Sequence, residues 1–484
     1  MEELPDLSNL SHPEKDSVIK MLWEMVVELK ATNFKLETQN RMLEKRVKKL
    51  EDQIAKNSGN SSKPPSSDTK PPRTKSQRKS TGKKSGGQSG HKGHGLKMSS
   101  TPDHIEIHKV SSCDHCHHPL GLEMAHDFDR RQVFDIPLLA LEVTEHLVEI
   151  KECTQCGEDS RGQFPSKVLA PVQYGDRVKV LSVYLNQYQL MPLQRLTEYF
   201  EDVFGQRISE ATILKFKNQL SNSLEKFECQ VKDKLIKSSV VHFDETGHRV
   251  KGKRQWLHSS GTNSLTHYAS HKKRGAEAME AIGILSEYKG RAIHDFWSSY
   301  YKFDCDHGLC NSHHFRDLTF LEERYDQTWS KSMKRLLGDM HKAVEVSRER
   351  GHSKLSSKAI KKFEFRYKNL VTRGFNKQPE IKPTGRRGRP KKGDVLNFLE
   401  RLHDRKDEVL AFMHDFNVPF TNNLAERDIR MVKVQQKISG TFRTQEGADV
   451  FCRIRSYIST CRKNSVKILK AMTDALQGRA FLTC

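Results

Sequence analysis

A leucine stands at every seventh position through Leu22, Leu29, Leu36, Leu43 and Leu50, and no other feature narrows the fold of this chain so much. With those leucines at d, the a positions are Ile19, Val26, Asn33, Asn40, Val47 and Ile54. A 3.5-residue repeat sets both series on one side of a helix, so residues 16–56 are predicted to form one long helix. β-Branched residues at a with leucine at d favour a parallel two-stranded coiled coil, and asparagine at a selects register at some cost in stability. The alternative is a helix packed on its own domain, for which the flanking sequence offers little apolar surface. A homodimer, or a higher oligomer, is therefore expected.

The next stretch has the opposite character. Residues 61–100 hold ten Ser, six Gly and four Pro, with ten Lys and Arg against the single acid Asp68. Too little apolar surface is available to offset the entropy of ordering, so 57–100 reads as a disordered basic linker. It is either a phosphate-binding arm or a solubilising spacer. Over all 484 residues, 83 Lys and Arg face 61 Asp and Glu, a formal net charge of +22. Such a balance points to a polyanionic partner, most often nucleic acid, and the length allows two to four domains. The absence of a long apolar run predicts no membrane span, and Met1–Leu10 does not read as a secretory signal.

Ten cysteines are too few for a disulfide framework in a chain of this length. Four of them form Cys113-x-x-Cys116 and Cys153-x-x-Cys156, with 36 residues between the pairs. Each pair can present two thiolates from one tight turn, and two such turns complete a tetrahedral Zn²⁺ site. With four protein ligands the ion would be structural rather than catalytic. Alternation in 131–136 and 141–150 suggests two strands between the knuckles, giving a zinc-ribbon-like module over 101–165.

Residues 166–236 look helical, with starts near Asp176, Leu193 and Ser209; they read equally as a DNA-binding helix-turn-helix or as plain core helices. From Ser238 the pattern turns to strands. A β-branched run ends at Asp244, two strands follow in 254–260 and 264–270, and a helix covers 276–288. A fourth strand then ends at Asp295, and a fifth spans 307–310. Three strands, a helix and two strands is the order of a ribonuclease-H-like fold, in which acids closing the first and fourth strands lie side by side. The third acid is Glu426, in a helix opened by Asn423, although an acid three residues after an N-cap is also what a capping box looks like. Three carboxylates suit two Mg²⁺ ions that clamp a phosphodiester, because Mg²⁺ prefers hard oxygen ligands. His242, His313 and His314 are candidates for proton transfer or phosphate contact.

The segments Phe243-Asp-Glu-Thr246, His294-Asp-Phe-Trp-Ser-Ser-Tyr300, Cys310-Asn-Ser-His-His-Phe-Arg316 and Asn422-Asn-Leu-Ala-Glu-Arg427 resemble the signature segments of insertion sequence 66 family transposases. These are bacterial DDE enzymes with a ribonuclease-H-like core. Asn60-Ser-Ser-Lys-Pro-Pro-Ser-Ser-Asp68, Gly86-Gly-Gln-Ser-Gly-His-Lys-Gly-His94 and the four-cysteine module also look like that family. The resemblance implies a triad of Asp244, Asp295 and Glu426, Mg²⁺ or Mn²⁺ as catalytic ion, transposon-end DNA as substrate, and a cytoplasmic, nucleoid-associated protein. Residues 441–484 lack a further tail seen in many members, so dependence on accessory transposition proteins does not carry over.

Glu426 follows Asp295 by 131 positions, more than a bare core needs, and 316–410 reads as a basic helical insertion. Within it, Gly385-Arg-Arg-Gly-Arg-Pro-Lys-Lys-Gly393 resembles an AT-hook, with Arg387 and Arg389 as minor-groove candidates, or is a basic loop. Arg427 and Arg430, beside Glu426, are candidates for phosphate contact. The expected architecture is multidomain α+β and α/β. It runs from the coiled coil and linker through the zinc module and helical region to a catalytic core in 237–315 and 411–440. The insertion interrupts that core, and a helical region, 441–484, ends the chain. The expected activity is DNA cleavage and strand transfer at transposon ends. The rival readings are a zipper-and-zinc regulator without catalysis, including an inactive relic, and a structure-specific nuclease.

Overall fold

The structure is a computed structural model that describes residues 11–57, 59–61, 96–379 and 392–481. The chain divides into two compact units. One comprises Met1–Thr74, Asp176–Pro192 and Leu214–Cys484; the other comprises Lys75–Gly175 and Leu193–Ile213. Arg387 and Arg389, and most of the basic linker, lie outside the described residues.

In the first unit, helix α1 (His12–Ala55) opens on a capping box between Ser11 and Glu14. At 1.5 Å per residue it is about 66 Å long. None of its residues is buried, and its five heptad leucines each leave about half their surface in solvent. Among the described residues, its last turns are held by ion pairs. Arg324 binds Glu51 and Asp52 at 2.8 Å, and Lys56 binds Asp394 at 2.6 Å.

In the second unit, the first strand pair β1 (Ile150–Glu152) and β2 (Asp159–Arg161) closes around the second cysteine pair. The strands expected in 131–136 and 141–150 are absent, apart from Ile150 itself. A knuckle turn brings 150–152 and 159–161 together over a short loop, whereas pairing the longer segments requires a partner that the local chain does not supply. This unit also holds α3 (Leu193–Phe204), and Ser209 Oγ accepts the Thr212 N–H at 3.1 Å, as expected of a helix start.

The first unit continues with α2 (Asp176–Gln187), most of α4 (Glu210–Ser223) and α5 (Glu225–Ile236), which precede a five-stranded sheet. The strands are β3 (Val240–Val250), β4 (Lys253–Gly261), β5 (Thr266–His271), β6 (Arg291–His294) and β7 (Asp306–Leu309), in the order β5-β4-β3-β6-β7. β3, β4 and β5 are antiparallel; β6 and β7 add in parallel. β3 does not stop at Asp244 but runs on to Val250, because Lys251 and Gly252 (φ +51° and +73°) form a two-residue turn that pairs Val250 with Lys253. Between β5 and β6 lies α6 (Ala276–Ile282), shorter than the predicted 276–288 because Gly283 ends it with φ +76°.

After β7 come α7 (Asn311–Tyr325), α8 (Thr328–Glu349), α9 (Ser357–Asn376), α10 (Asp394–Asp404) and α11 (Lys406–His414). They share one apolar core with Ile293 and Leu309 of the sheet, including Trp329, Leu337, Phe398, Leu399 and Phe412. Packing here is close. A Cβ on Gly374 would collide with Leu399 Cδ2 and stand 3.2 Å from the Trp329 ring. Gly374→Ala is therefore expected to destabilise the protein by about 1–2 kcal/mol despite the better helix propensity of alanine, read as a lower urea midpoint.

Four helices end the chain: α12 (Asn423–Ile429), α13 (Met431–Ser439), α14 (Gln445–Lys463) and α15 (Ile468–Leu476). α14 covers the outer edge of β5. Ser456 Oγ accepts from Tyr268 N–H at 2.8 Å and Thr460 Oγ1 from Thr266 N–H at 3.1 Å, which satisfies backbone donors an edge strand leaves open. No helix among the described residues is long and apolar enough to cross a membrane.

Candidate active site

The parallel pairing of β3 with β6 sets the geometry. Val241 faces Ala292 and His242 faces Ile293, so two residues further on Asp244, within β3, and Asp295, just past the carboxyl end of β6, are neighbours. Parallel strands lie about 4.8 Å apart. Asp295 leaves the sheet just after β6, where its Oδ1 accepts from Trp297 N–H at 2.9 Å.

Glu426 arrives from α12, and Asn422 explains how. The Asn422 side chain donates to the Phe243 carbonyl at 2.8 Å and pairs through Oδ1 with His242 Nδ1 at 2.8 Å. Its backbone N–H points at Cys310 Sγ, 3.1 Å away. Three contacts thus pin the start of α12 to β3 and to the β7–α7 junction, and Glu426 follows one turn later.

Charge reports the convergence. Burial, and then the carboxylates of Glu245, Asp295 and Glu426, push Asp244 well above the usual carboxylate range. Asp295 is also raised, chiefly by burial. The cations nearest Glu426 are Arg316 at 3.9 Å and Arg430 at 4.0 Å. Arg427 on α12 and Arg430 just after it are exposed.

Glu245 is a fourth acid that sequence reading left without a role. Its carboxylate accepts two hydrogen bonds from Arg274, at 2.9 and 2.6 Å, and one from Tyr300. Arg274 is itself held between the Trp256 and Trp297 rings, 4.9 and 4.1 Å from their centroids. Burial and Asp295 nonetheless raise Glu245 to about 7. The signal in the sequence was its place inside a buried strand, where an acid needs a partner.

The histidines divide. His242, with its pKa lowered by burial, braces Asn422. His314 is buried, bonded to Asn311 and packed against Phe398, so the proton-carrying role expected of it is not available. His313 is half-buried at the start of α7, and its Nδ1 finds no partner.

The two cysteine knuckles are built alike. In the first, Cys113 N–H bonds the His118 carbonyl and His117 N–H bonds the Cys113 carbonyl, both at 2.9 Å. In the second, Cys153 N–H bonds Glu158 at 2.9 Å and Gly157 N–H bonds Cys153 at 2.8 Å. His117 and Gly157, four residues after the leading cysteine, both adopt positive φ, +60° and +76°. Backbone N–H groups directed at the leading sulfurs lower the pKa of Cys113 and Cys153. The structure gathers neither the four sulfurs of Cys113, Cys116, Cys153 and Cys156 nor one oxygen each from Asp244, Asp295 and Glu426 to within 4.8 Å of one another. Among the described residues, the group of three ligand atoms within 4.8 Å of one another belongs to Cys310, His313 and Glu426.

Comparison with known families places these features in context. The model of the Transposase IS66 family matches residues 171–450, which include β3 to β7, α12 and the helices between. A family of unknown function (DUF6444) matches residues 2–97. An uncharacterized protein, y4jO, of Sinorhizobium fredii (strain NBRC 101917 / NGR234) is 29% identical over 90 residues, which is 18% of this chain and 28% of that protein. The chain thus spans little more than a quarter of that relative.

Proposed function

Because this chain belongs to the IS66 family of transposases, we propose that it is a DDE transposase that binds transposon ends, cleaves them and joins them to target DNA. The observation that carries the reading is the placement of Asp244 and Asp295 side by side by parallel strand pairing, with Glu426 on a pinned helix acting electrostatically on Asp244. The strand order, antiparallel then parallel, supports a ribonuclease-H-like core interrupted between β7 and α12 by α7 to α11.

The donor set suits a hard divalent cation. It is all oxygen, and the mutual repulsion that raises Asp244 is relieved when a cation binds among the carboxylates. Asp244, Asp295 and Glu426 would hold Mg²⁺ or Mn²⁺, which supplies activation of the attacking oxygen and stabilisation of the leaving oxygen in an in-line displacement. Around it, Asn422 fixes the helix that carries Glu426, and the Arg274–Glu245–Tyr300 network holds the neighbouring strand. Arg427 on α12 and Arg430 just after it face solvent, where phosphates of a bound strand can reach them.

The other parts serve binding and assembly. The exposed a and d residues of α1 support a homodimer or higher oligomer formed by a parallel coiled coil. The matching knuckles support a structural Zn²⁺ held by the four cysteines, which would draw the two turns together. In metal analysis, Cys153→Ser is expected to lower the zinc content by one ion per chain. The formal charge of +22 favours DNA as partner, with the helices of 166–236 and the basic segments as contributors.

A strand-transfer assay with end-containing DNA and Mg²⁺ tests the proposal. Cleavage followed by joining supports a transposase. Cleavage alone would make it a nuclease, and binding alone a regulator.

A further inference from the structure

Beside the acids lies a site with different chemistry. Cys310 immediately precedes α7 and His313 stands three residues later, the spacing that puts two side chains on one face of a helix. Glu426 approaches from α12, with its Oε1 4.0 Å from Cys310 Sγ, and one ligand atom from each residue lies within 4.8 Å of the others. Two further observations point to a ligand. His313 Nδ1 is buried without a hydrogen-bond partner, and the Asn422 N–H is already directed at Cys310 Sγ from 3.1 Å.

We propose that Cys310, His313 and Glu426 form a second metal site, selective for a thiophilic divalent cation, Zn²⁺, and that its occupation turns off the acidic site. A thiolate and an imidazole are poor ligands for Mg²⁺ but good ones for Zn²⁺. Three protein ligands leave a fourth tetrahedral position to water. Tetrahedral Zn²⁺ with bonds of 2.0–2.3 Å holds its ligand atoms about 3.5 Å apart, so the cluster needs to contract by roughly 1 Å. Binding releases the Cys310 thiol proton to solvent, and the Asn422 N–H stabilises the thiolate as an outer hydrogen bond does in protein metal sites. Arg316, 3.9 Å from the same Glu426 oxygen, balances that carboxylate until the cation replaces it.

The regulatory half rests on the reading of Glu426 as a ligand of the catalytic ions. A carboxylate committed to Zn²⁺ beside Cys310 is withdrawn from the pair Asp244 and Asp295. Zinc therefore acts as a brake released by chelation, distinct from the structural zinc of the knuckles.

The test uses the full-length chain, stripped of metal and titrated with Zn²⁺ against a chromophoric chelator. The expected uptake is two equivalents for the native chain and one for Cys310→Ser. Because Cys310 is buried, His313→Ala at a half-buried position provides the second variant, with folding checked by circular dichroism. It should bind the second equivalent at least about tenfold more weakly. In Mg²⁺-dependent cleavage, His313→Ala should need at least about tenfold more Zn²⁺ for half-inhibition. Equal uptake and affinity in the native chain and folded His313→Ala would overturn the site. Equal zinc sensitivity of cleavage would overturn the brake. If the native chain cleaves nothing in Mg²⁺, the transposase reading falls, and the titration still decides whether the metal site exists.

Discussion

Asp244→Asn is expected to abolish cleavage and strand transfer while leaving end binding near the native level. Asp244 sits at the centre of the acids: both Asp295 and Glu426 act on it electrostatically, and it lies half-buried on the middle strand of the sheet. Asparagine keeps the shape and one oxygen but removes the charge that would help hold a divalent cation. Losing several kcal/mol of transition-state stabilisation corresponds to a rate drop of roughly a hundredfold or more. Binding should survive because the basic groups proposed to meet DNA lie elsewhere. A second readout separates this from misfolding. Burial and three neighbouring carboxylates disfavour ionised Asp244, so without divalent cations the variant should unfold at a higher urea concentration than the native protein at neutral pH. A variant that cleaves at the native rate would exclude Asp244 from the chemistry.

Glu245→Gln should change the pH dependence of stability, with a large and directional effect. Glu245 moves from an ordinary 4.5 to about 7 in the fold, through burial and the charge of Asp295, offset in part by Arg274 and Tyr300. Between those two values the folded chain holds a proton that the unfolded chain has released, so this group lowers stability as pH rises from 4.5 to 7. The shift corresponds to roughly 3 kcal/mol. His248, His258 and His313, each lowered to about 4 by desolvation, act oppositely in the acid part of the range, because there the unfolded chain binds the extra protons. The difference between variant and native protein cancels them. In metal-free urea titrations, Glu245→Gln should gain on the native chain by roughly 3 kcal/mol from pH 4.5 to pH 7.5, and a flat difference would refute the assignment. Added Mg²⁺ should shrink this gain by offsetting the charge of the acidic cluster.

Periodic patterns were legible because they need only the chain itself. The heptad predicted α1 to within a few residues, since a repeat of seven is a property of one helix. The strand starts and Asp295 followed from local alternation and from turn residues. Elements that rely on distant partners were misread. Segments 131–136 and 141–150 alternate like strands but do not form them, and β3 continues past Asp244 because a turn at Lys251 and Gly252 and pairing with β4 sustain it.

Glu245 and Arg274 are separated by 29 positions, and Cys310 and Glu426 by 116; no spacing rule links either pair. Residue types and their order along the chain were determined by the sequence alone: the leucine stripe, the two cysteine knuckles, and the acids Asp244 within the first strand of the sheet and Asp295 after the fourth. Tertiary structure decided which of these groups meet. Electrostatic coupling weakens with distance, so only the folding of α12 against β3, through Asn422, could bring the charge of Glu426 to bear on Asp244.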